Sequence, residues 1–336
     1  MGIVTSYRMR VRRRYWHVRA LRRGRQLEAL RRRTERIGRR DILVFACCRN
    51  ERVRLPYFLD YYRRLGADHF LFVDNGSDDG TAEYLAAQED CSVWRTTASY
   101  RRAAFGVDWV NRLLRRFGHG HWCLTVDVDE FLVYPYCDSR PLRALCDWLD
   151  ASAIRSFGAM LLDMYPRGPV TDQPYREGQD PFEIAPWFDA RNYQFERNPL
   201  LWNLWIQGGP RSRVFFADAP EQAPALNKTP LVRWDRNYAY VSSTHALLPR
   251  GLNQTYATDG GEKASGILLH AKFLHTLAAK ASEELKRGEH YADSREYAAY
   301  AEAIGADRTL WCKWSERYVN WRQLEILGLI SKGNWA

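Results

Sequence analysis

Hydrophobic and polar positions change period several times between Asp41 and Phe131. Ile42-Leu43-Val44-Phe45-Ala46 is an unbroken apolar run after a charged stretch, which predicts a strand buried on both faces. Leu55, Phe58, Leu59 and Tyr62 then recur at i, i+3, i+4 and i+7. With Pro56 in the first turn and Gly66 at the end, that spacing predicts a helix. A second strand is expected over His69-Phe70-Leu71-Phe72-Val73, stopped by the turn cluster Asp74 to Gly80. A helix near Thr81 to Gln88 and a third strand near Ser92 to Thr96 follow. Val107, Val110, Leu114 and Phe117 line one face of a further helix, and His121 to Val126 is a fourth strand running into Asp127-Val128-Asp129-Glu130.

This alternation predicts an α/β fold, a Rossmann-like and mostly parallel sheet flanked by helices. Such sheets bind ligands beyond the C-terminal ends of their strands. Three polar clusters fall at those ends, Arg49-Asn50-Glu51, Asp74 to Asp79, and Asp127 to Glu130, so the topology alone predicts that they converge. Past residue 155 the pattern loosens. Gly, Pro and aromatic residues dominate Pro166 to Pro230, which implies long loops over the sheet. Short strands are expected at Ala159–Asp163, Arg213–Phe216 and Tyr238–Val241. Helices are expected near Leu274–Arg287 and Ser294–Ile304, ahead of a tail carrying Trp311, Trp314 and Trp321.

Charge is concentrated at one end. Residues 1–40 hold fifteen Arg against two Glu, a net of +13, which leaves the other 296 residues at −3 of the chain's +10. A helix over residues 8–40 would be basic nearly all round, with a thin apolar stripe of Trp16, Val18, Leu21, Leu27 and Leu30. Three readings stay open: a solvated arm, a segment lying on an anionic membrane surface, and a nucleic-acid arm, the least favoured. Met1-Gly2-Ile3-Val4-Thr5-Ser6 also fits the short myristoylation pattern. An apolar fraction of 46% with 14% aromatics excludes global disorder. The longest purely apolar run, Ile42 to Cys48, is far short of the ~20 residues a bilayer requires. Seven cysteines without a CxxC pair argue against a disulfide scaffold or a structural zinc site and suit a reducing compartment. With no apolar stretch after the N-terminal charges, the expectation is a cytoplasmic protein, peripheral at most on the inner face of the membrane.

Alternation along a strand would put Asp127 and Asp129 on one side, where two carboxylates suit Mg²⁺ or Mn²⁺ bridging to a diphosphate. Acidic pairs at strand ends also cap turns or pair with Arg. In the second cluster Ser77 or Asp78 is a possible helix cap and Asn75-Gly76 a simple turn, and Asp74 is the member best placed to face a ligand.

Taken together, Phe45-Ala46-Cys47-Cys48-Arg49-Asn50-Glu51, Val73-Asp74-Asn75-Gly76-Ser77-Asp78-Asp79-Gly80-Thr81 and Asp127-Val128-Asp129-Glu130-Phe131 resemble the family 2 glycosyltransferases of GT-A fold, most of all a bacterial branch with RNE and DxDEF segments. Gly208 to Arg213, Lys228-Thr229-Pro230-Leu231, Ser243-Thr244-His245 and Leu268 to Phe273 add to the likeness, which spans about 41–300. The arm and the Trp-rich tail lie outside it, so four parts are expected: a basic arm (1–40), the nucleotide-sugar-binding half (41–155) and acceptor-side half (156–275) that the resemblance implies, and C-terminal helices with a Trp-rich tail (276–336).

The resemblance implies Asn50, Glu51 and Asp74 near the base or ribose, Asp127 on the ribose or donor sugar, and Asp129 on a divalent metal, Mn²⁺ or Mg²⁺. His270 is the candidate second metal ligand, with Lys272 beside it; a packed histidine is the alternative. Arg211 and Arg213 suit the donor diphosphate or an acidic acceptor, or simple salt bridges. The implied reaction is inverting transfer from a nucleotide-sugar donor, UDP-linked by preference, to a saccharide or lipid-linked acceptor. Asp163, Glu183, Asp189 and Asp218 qualify by order as the base, and Asp163, closing the apolar run Met160-Leu161-Leu162, is preferred. His245 is a candidate for acceptor binding or for a structural hydrogen bond. The competing functions are a phosphohydrolase with an Asp nucleophile and a non-enzymatic module whose arm binds membrane or nucleic acid.

Overall fold

The computed structural model describes residues 3–257, 262–289, 300, 302 and 309–335. The chain opens with α1 (Ile3–Arg23) and β1 (Glu28–Arg31). A β/α alternation follows: β2 (Ile42–Cys48), α2 (Leu55–Leu65), β3 (His69–Asp74), α3 (Thr81–Ala87), β4 (Cys91–Arg95), α4 (Val107–Leu113) and β5 (Trp122–Thr125). Then come β6 (Glu130–Val133), α5 (Leu142–Ala151), β7 (Ser156–Asp163), the single turn α6 (Pro181–Ile184), β8 (Trp187–Asp189), and the hairpin β9 (Tyr193–Arg197) and β10 (Leu204–Gly208). The last third holds β11 (Asn227–Arg233), β12 (Ala239–Ser242), β13 (Ala246–Leu248), β14 (Ser265–His270), α7 (Thr276–Arg287) and β15 (Ser315–Arg317).

Nine strands form one mixed sheet in the order β1-β4-β3-β2-β5-β11-β7-β14-β6. Its parallel block, β4-β3-β2-β5, is the predicted alternation. In that block the chain steps outward from β2 to β3 to β4, then jumps back to place β5 on the other side of β2. That reversal leaves a crevice at the C-terminal ends of β2 and β5, where doubly wound sheets take their ligands.

The two faces of β2 show why the sheet is covered on both sides. Ile42, Val44 and Ala46 join Leu55, Phe58, Leu59 and Tyr62 of α2 in one core, with Leu142, Leu145 and Leu149 of α5. Leu43 and Phe45 join Trp109, Val110 and Leu113 of α4 in the other. Each fully buried side chain of this size stabilises the fold by about 1.5–3 kcal/mol. At the end of α2, Gly66 takes φ 97°, a left-handed cap that a β-carbon would strain.

Several expectations are corrected. The helix over 8–40 stops at Arg23, and residues 28–31 extend the sheet antiparallel to β4. Arg33 is buried there, donating from its guanidinium to the carbonyls of Ala86 at 3.0 Å and Cys91 at 3.3 Å, so the sheet begins ahead of Asp41. Arg211–Phe215 is a helical turn, not the strand expected over Arg213–Phe216. Of the strands the sequence did not foresee, two lie inside the large sheet, away from its edges. β11 lies mid-sheet although it contains Pro230, because its register shifts between Lys228 and Leu231 and the residue without an N–H falls in the irregularity. β14 pairs in parallel with β7. The helix expected over Ser294–Ile304 lies outside the described residues apart from Tyr300 and Glu302.

Candidate active site at the C-terminal rim

The crevice between β2 and β5 is lined by the segments that follow those strands. Cys47, Cys48, Arg49 and Glu51 come from β2 and its loop, Asn75 from the turn after β3, and Asp127, Val128 and Asp129 from the link between β5 and β6. His270 and Lys272 arrive from the end of β14, and Lys280, Glu284 and Arg287 from α7. The hollow measures about 160 Å³. A second, of about 280 Å³, shares Arg49, Asn75 and Arg287 with it. A third, of about 80 Å³, shares Cys47, Tyr100 and Asp127 and adds Tyr240, Ser243 and Thr244. The result is a groove along the rim with Asp127 standing between two of its parts.

Asp127 and Asp129 share this hollow for a different reason than strand alternation: β5 ends at Thr125, and both residues sit in the turn before β6. Asp129 is held at the end of β14, where the N–H of Ala271, the next residue, donates to its carbonyl at 2.8 Å. That contact brings the His270 Nε2 to 3.4 Å from the Asp129 carboxylate. The other ring nitrogen, Nδ1, lies 2.7 Å from an Asp163 oxygen, and Arg211 grips Asp163 through two hydrogen bonds of 2.8 Å. Burial opposes charge on Asp129, His270 and Asp163, and the opposite charges outweigh it. Asp129 is held well below the usual carboxylate range by His270, with Lys280 and Arg54 further off. His270 is raised by Asp129 and Asp163, and Asp163 is lowered by Arg211 and His270. The Arg211 Nη2 lies 2.8 Å from the same Nδ1; in the tautomer whose Nδ1–H points at Asp163, the Nε2 facing Asp129 carries either a proton or a cation, since two lone pairs cannot face each other there without cost. Beside them Lys228 reaches Glu130 at 2.9 Å and Asp127 at 3.5 Å.

The predicted site residues divide into two groups. Glu51, Asp127, Asp129, His270 and Lys272 line one hollow. Glu51 is engaged by Arg54 at 2.8 Å and by Lys280, and the Lys272 ammonium lies 4.9 Å from the Tyr300 ring centroid. Asn50, Asp74, Asp163 and Arg211 do not line it. Asn50, at a left-handed φ of 52°, stitches two loops together: its N–H donates to Ser77, its amide oxygen accepts from the Asp78 N–H, and its amide nitrogen faces Glu283. Asp74 is fully buried, accepting from the Ser77 N–H at 3.2 Å; the N-cap of α3 is Gly80, with no capping side chain, and Asp79 just ahead of it accepts from the Thr81 N–H at 2.9 Å. Asp163 is 2% exposed, its carboxylate taken up by Arg211 and His270, and Arg211 is buried against it in turn, so the two expected ligands face each other and not the hollow. Of the other base candidates, Asp189 is taken by Arg213 and Tyr165, and Glu183 faces Gln179. His245 donates its Nδ1–H to the Asn227 carbonyl, 2.6 Å away, the structural bond of the two alternatives.

Reading the sequence missed α7 as a wall of the site. The signal was present: Lys280, Glu283, Glu284 and Arg287 recur at three- and four-residue spacing on one side of a helix. That side lies over the crevice, with Glu283 2.7 Å from Arg49 and Arg287 3.3 Å from Asn75. Among the described residues no group of three His, Cys, Asp or Glu side chains is arranged to hold a metal ion, so Asp129 and His270 form a two-donor pair.

Fold and rim together define a mixed α/β protein with a doubly wound, Rossmann-like block and a charged groove at its switch point. No protein-family model matches the chain, and no curated protein matches it. Among solved structures, the crystal structure of 4-diphosphocytidyl-2C-methyl-D-erythritol synthase is similar at 16% identity and a TM-score of 0.25, covering 42% of this chain and 66%, just under two thirds, of that one. No helix among the described residues is long and apolar enough to cross a membrane.

Proposed function

We propose that the chain is a metal-dependent glycosyltransferase of GT-A type. It would move a sugar from a nucleoside diphosphate carrier, UDP-linked by preference, onto a hydroxyl of a saccharide or lipid-linked acceptor with inversion. One juxtaposition supports this reading: Asp127, Asp129 and His270 meet Arg49, Lys272, Lys280 and Arg287 in a single hollow at the sheet's switch point. Cations beside acidic ligands suit a substrate that carries both a diphosphate and a metal.

Mn²⁺ or Mg²⁺ fits the Asp129 and His270 donors, a hard carboxylate oxygen and an imidazole nitrogen whose far side is fixed by a carboxylate. Two protein donors suffice where diphosphate oxygens and water complete the shell. When bound, the cation supplies neutralisation of the charge that builds on the departing nucleoside diphosphate. Asp163 and Arg211 hold the His270 ring in place. Arg49, Lys272 and Arg287 draw the diphosphate into the groove, and Asn75 and Glu51 border the nucleoside end.

The proton of the attacking hydroxyl goes to Asp127 in this reading. With its side chain 54% exposed it is far more open than Asp129 at 15%, and it borders both the charged hollow and the small one carrying Ser243 and Thr244. A carboxylate at that junction meets an acceptor coming from the second half of the chain.

The test incubates the full chain with Mn²⁺ and a panel of nucleotide sugars and scores nucleoside diphosphate release. Release with one donor, lost on chelation, is the expected result. Asp127→Asn should then lower kcat by about 100-fold or more while donor KM stays within about two-fold. A raised donor KM at unchanged kcat would return Asp127 to donor binding. Phosphate release from simple phosphomonoesters, with no response to any nucleotide sugar, would replace the whole reading by a phosphohydrolase.

A further inference from the structure

The outer side of α1 carries an apolar row turned to solvent. Val4, Tyr7, Val11, Tyr15, Val18 and Leu21 are each at least 40% exposed, and their three- and four-residue spacing keeps them along one side of the helix. The opposite side is already engaged. Ala20 is buried, and Met9 and Trp16 pack against Leu201, Val241, Ala246 and Leu248. Arg19 donates to Asp108 at 2.7 Å and to the Arg102 carbonyl at 3.0 Å. The exposed row keeps Val18 and Leu21 of the stripe expected from the sequence, while Trp16 faces inward.

Charge decides what the row meets. α1 holds eight arginines and no acidic residue. Exposed Arg10 and Arg14 flank the row on one side, Arg8 and Arg22 on the other. A second copy of α1 laid along it, parallel or antiparallel, would set arginine against arginine on both flanks, which disfavours pairing. A surface with an apolar interior and anionic headgroups takes the row and its flanks together. We infer that α1 lies flat on an anionic lipid bilayer, its apolar row in the headgroup–acyl boundary and its arginines among the phosphates.

The seat is fixed to the catalytic rim. Arg19 grips residues 102 and 108, and the intervening stretch supplies Phe105 and Gly106 to the groove, with Tyr100 just ahead. β1, paired with β4, ties the other end of the arm into the sheet. Lying on a membrane, α1 would hold that groove at a set angle to the lipid, whichever reaction the groove performs.

Flotation of the full chain tests this with two vesicle preparations, pure phosphatidylcholine and phosphatidylcholine with about one quarter phosphatidylglycerol. Flotation with the anionic vesicles alone, weakened by salt, is expected. Tyr7→Ser, Val11→Ser and Val18→Ser combined should lower the partition coefficient about 100-fold or more. Arg10→Gln and Arg14→Gln should each lower it about five-fold. All five side chains are exposed, so circular dichroism and binding of UDP with Mn²⁺ should stay unchanged, which separates this test from that of the proposed reaction. Equal flotation with both vesicles, none with either, or flotation undisturbed by the serine triple would overturn the inference. So would a dimer in sedimentation equilibrium that the triple dissolves, which would give the row to a second copy.

Discussion

Two hollows of the molecule rank oppositely by size and by charge. The cleft beneath the β9–β10 hairpin measures about 1100 Å³, against about 160 Å³ for the hollow at the rim. Yet five of the seventeen cleft-lining residues are charged, two of them the mutually paired Asp189 and Arg213, whereas nine of fourteen at the rim are charged or histidine. The cleft exists because a hairpin and the C-terminal segment stand off the body, with Phe195, Trp205 and Trp314 exposed along it. The rim exists because strand ends converge there. Chemistry follows convergence, since desolvated opposite charges at short range do work that open volume cannot.

The largest expected effect tests that contrast directly. Asp129→Ala should lower Mn²⁺-dependent nucleoside diphosphate release by about 1000-fold, the scale of losing a group that stabilises transition-state charge. Trp205→Ala and Trp314→Ala in the cleft should leave donor hydrolysis within about two-fold. If the tryptophan variants were the inactive ones, the assignment of chemistry to the rim would have to be abandoned.

Next in size is a comparison of two arginines two residues apart. Arg211 and Asp163 are both buried, while Arg213 is 26% exposed beside Asp189. Arg211→Met strands a buried carboxylate and should cost about 3–5 kcal/mol of stability in urea unfolding. Because Asp163 orients His270, the folded fraction should also bind Mn²⁺ about 10–100-fold more weakly by titration. Arg213→Met should cost less than Arg211→Met, as water reaches that pair, and should leave Mn²⁺ affinity alone. Equal effects of the two variants on Mn²⁺ would break the proposed link from Arg211 to the metal pair.

These two arginines also mark where the sequence stops being legible. From 41 to 131, hydrophobic period, cap and turn chemistry name β2 to β5 and the helices between them, because each element is decided by its own neighbours. Convergence of the three clusters at the rim followed from topology, although the side chains in the hollow include Arg49 and Asn75 where Asn50 and Asp74 were expected. Past 155, structure depends on partners distant in sequence. β11 carries a lysine and a proline and becomes a central strand only because β5 and β7 flank it. Asp163 closing an apolar run reads equally well as a poised base or as half of an ion pair, and Arg211, 48 residues on, decides between them. Amphipathic period was present in α1 as well, but which side of it meets the body depends on Asp108 and on residues of β12 and β13.

The smallest predicted effect concerns the wall between the two hollows. His245 lies with its ring 6.4 Å from that of Trp205, which lines the cleft, and close to Lys228, which reaches Asp127 and Glu130 at the rim. Burial pulls its pKa from 6.5 down to about 3; Lys228 adds to the fall, and the hydrogen bond with the Asn227 carbonyl opposes it. The folded ring is therefore neutral where the unfolded one takes up a proton. Its contribution is complete above pH 6.5 and is lost as pH falls toward 3. By pH 5 the loss should reach at most about 2 kcal/mol, less as far as water reaches the ring. His245→Asn keeps an N–H for the Asn227 carbonyl and removes the titration, so its stability should fall less between pH 7 and pH 5 in urea unfolding. Identical losses in the two proteins would mean that the folded ring accepts the proton as readily as the unfolded one, and the partition between cleft and rim would then be wet.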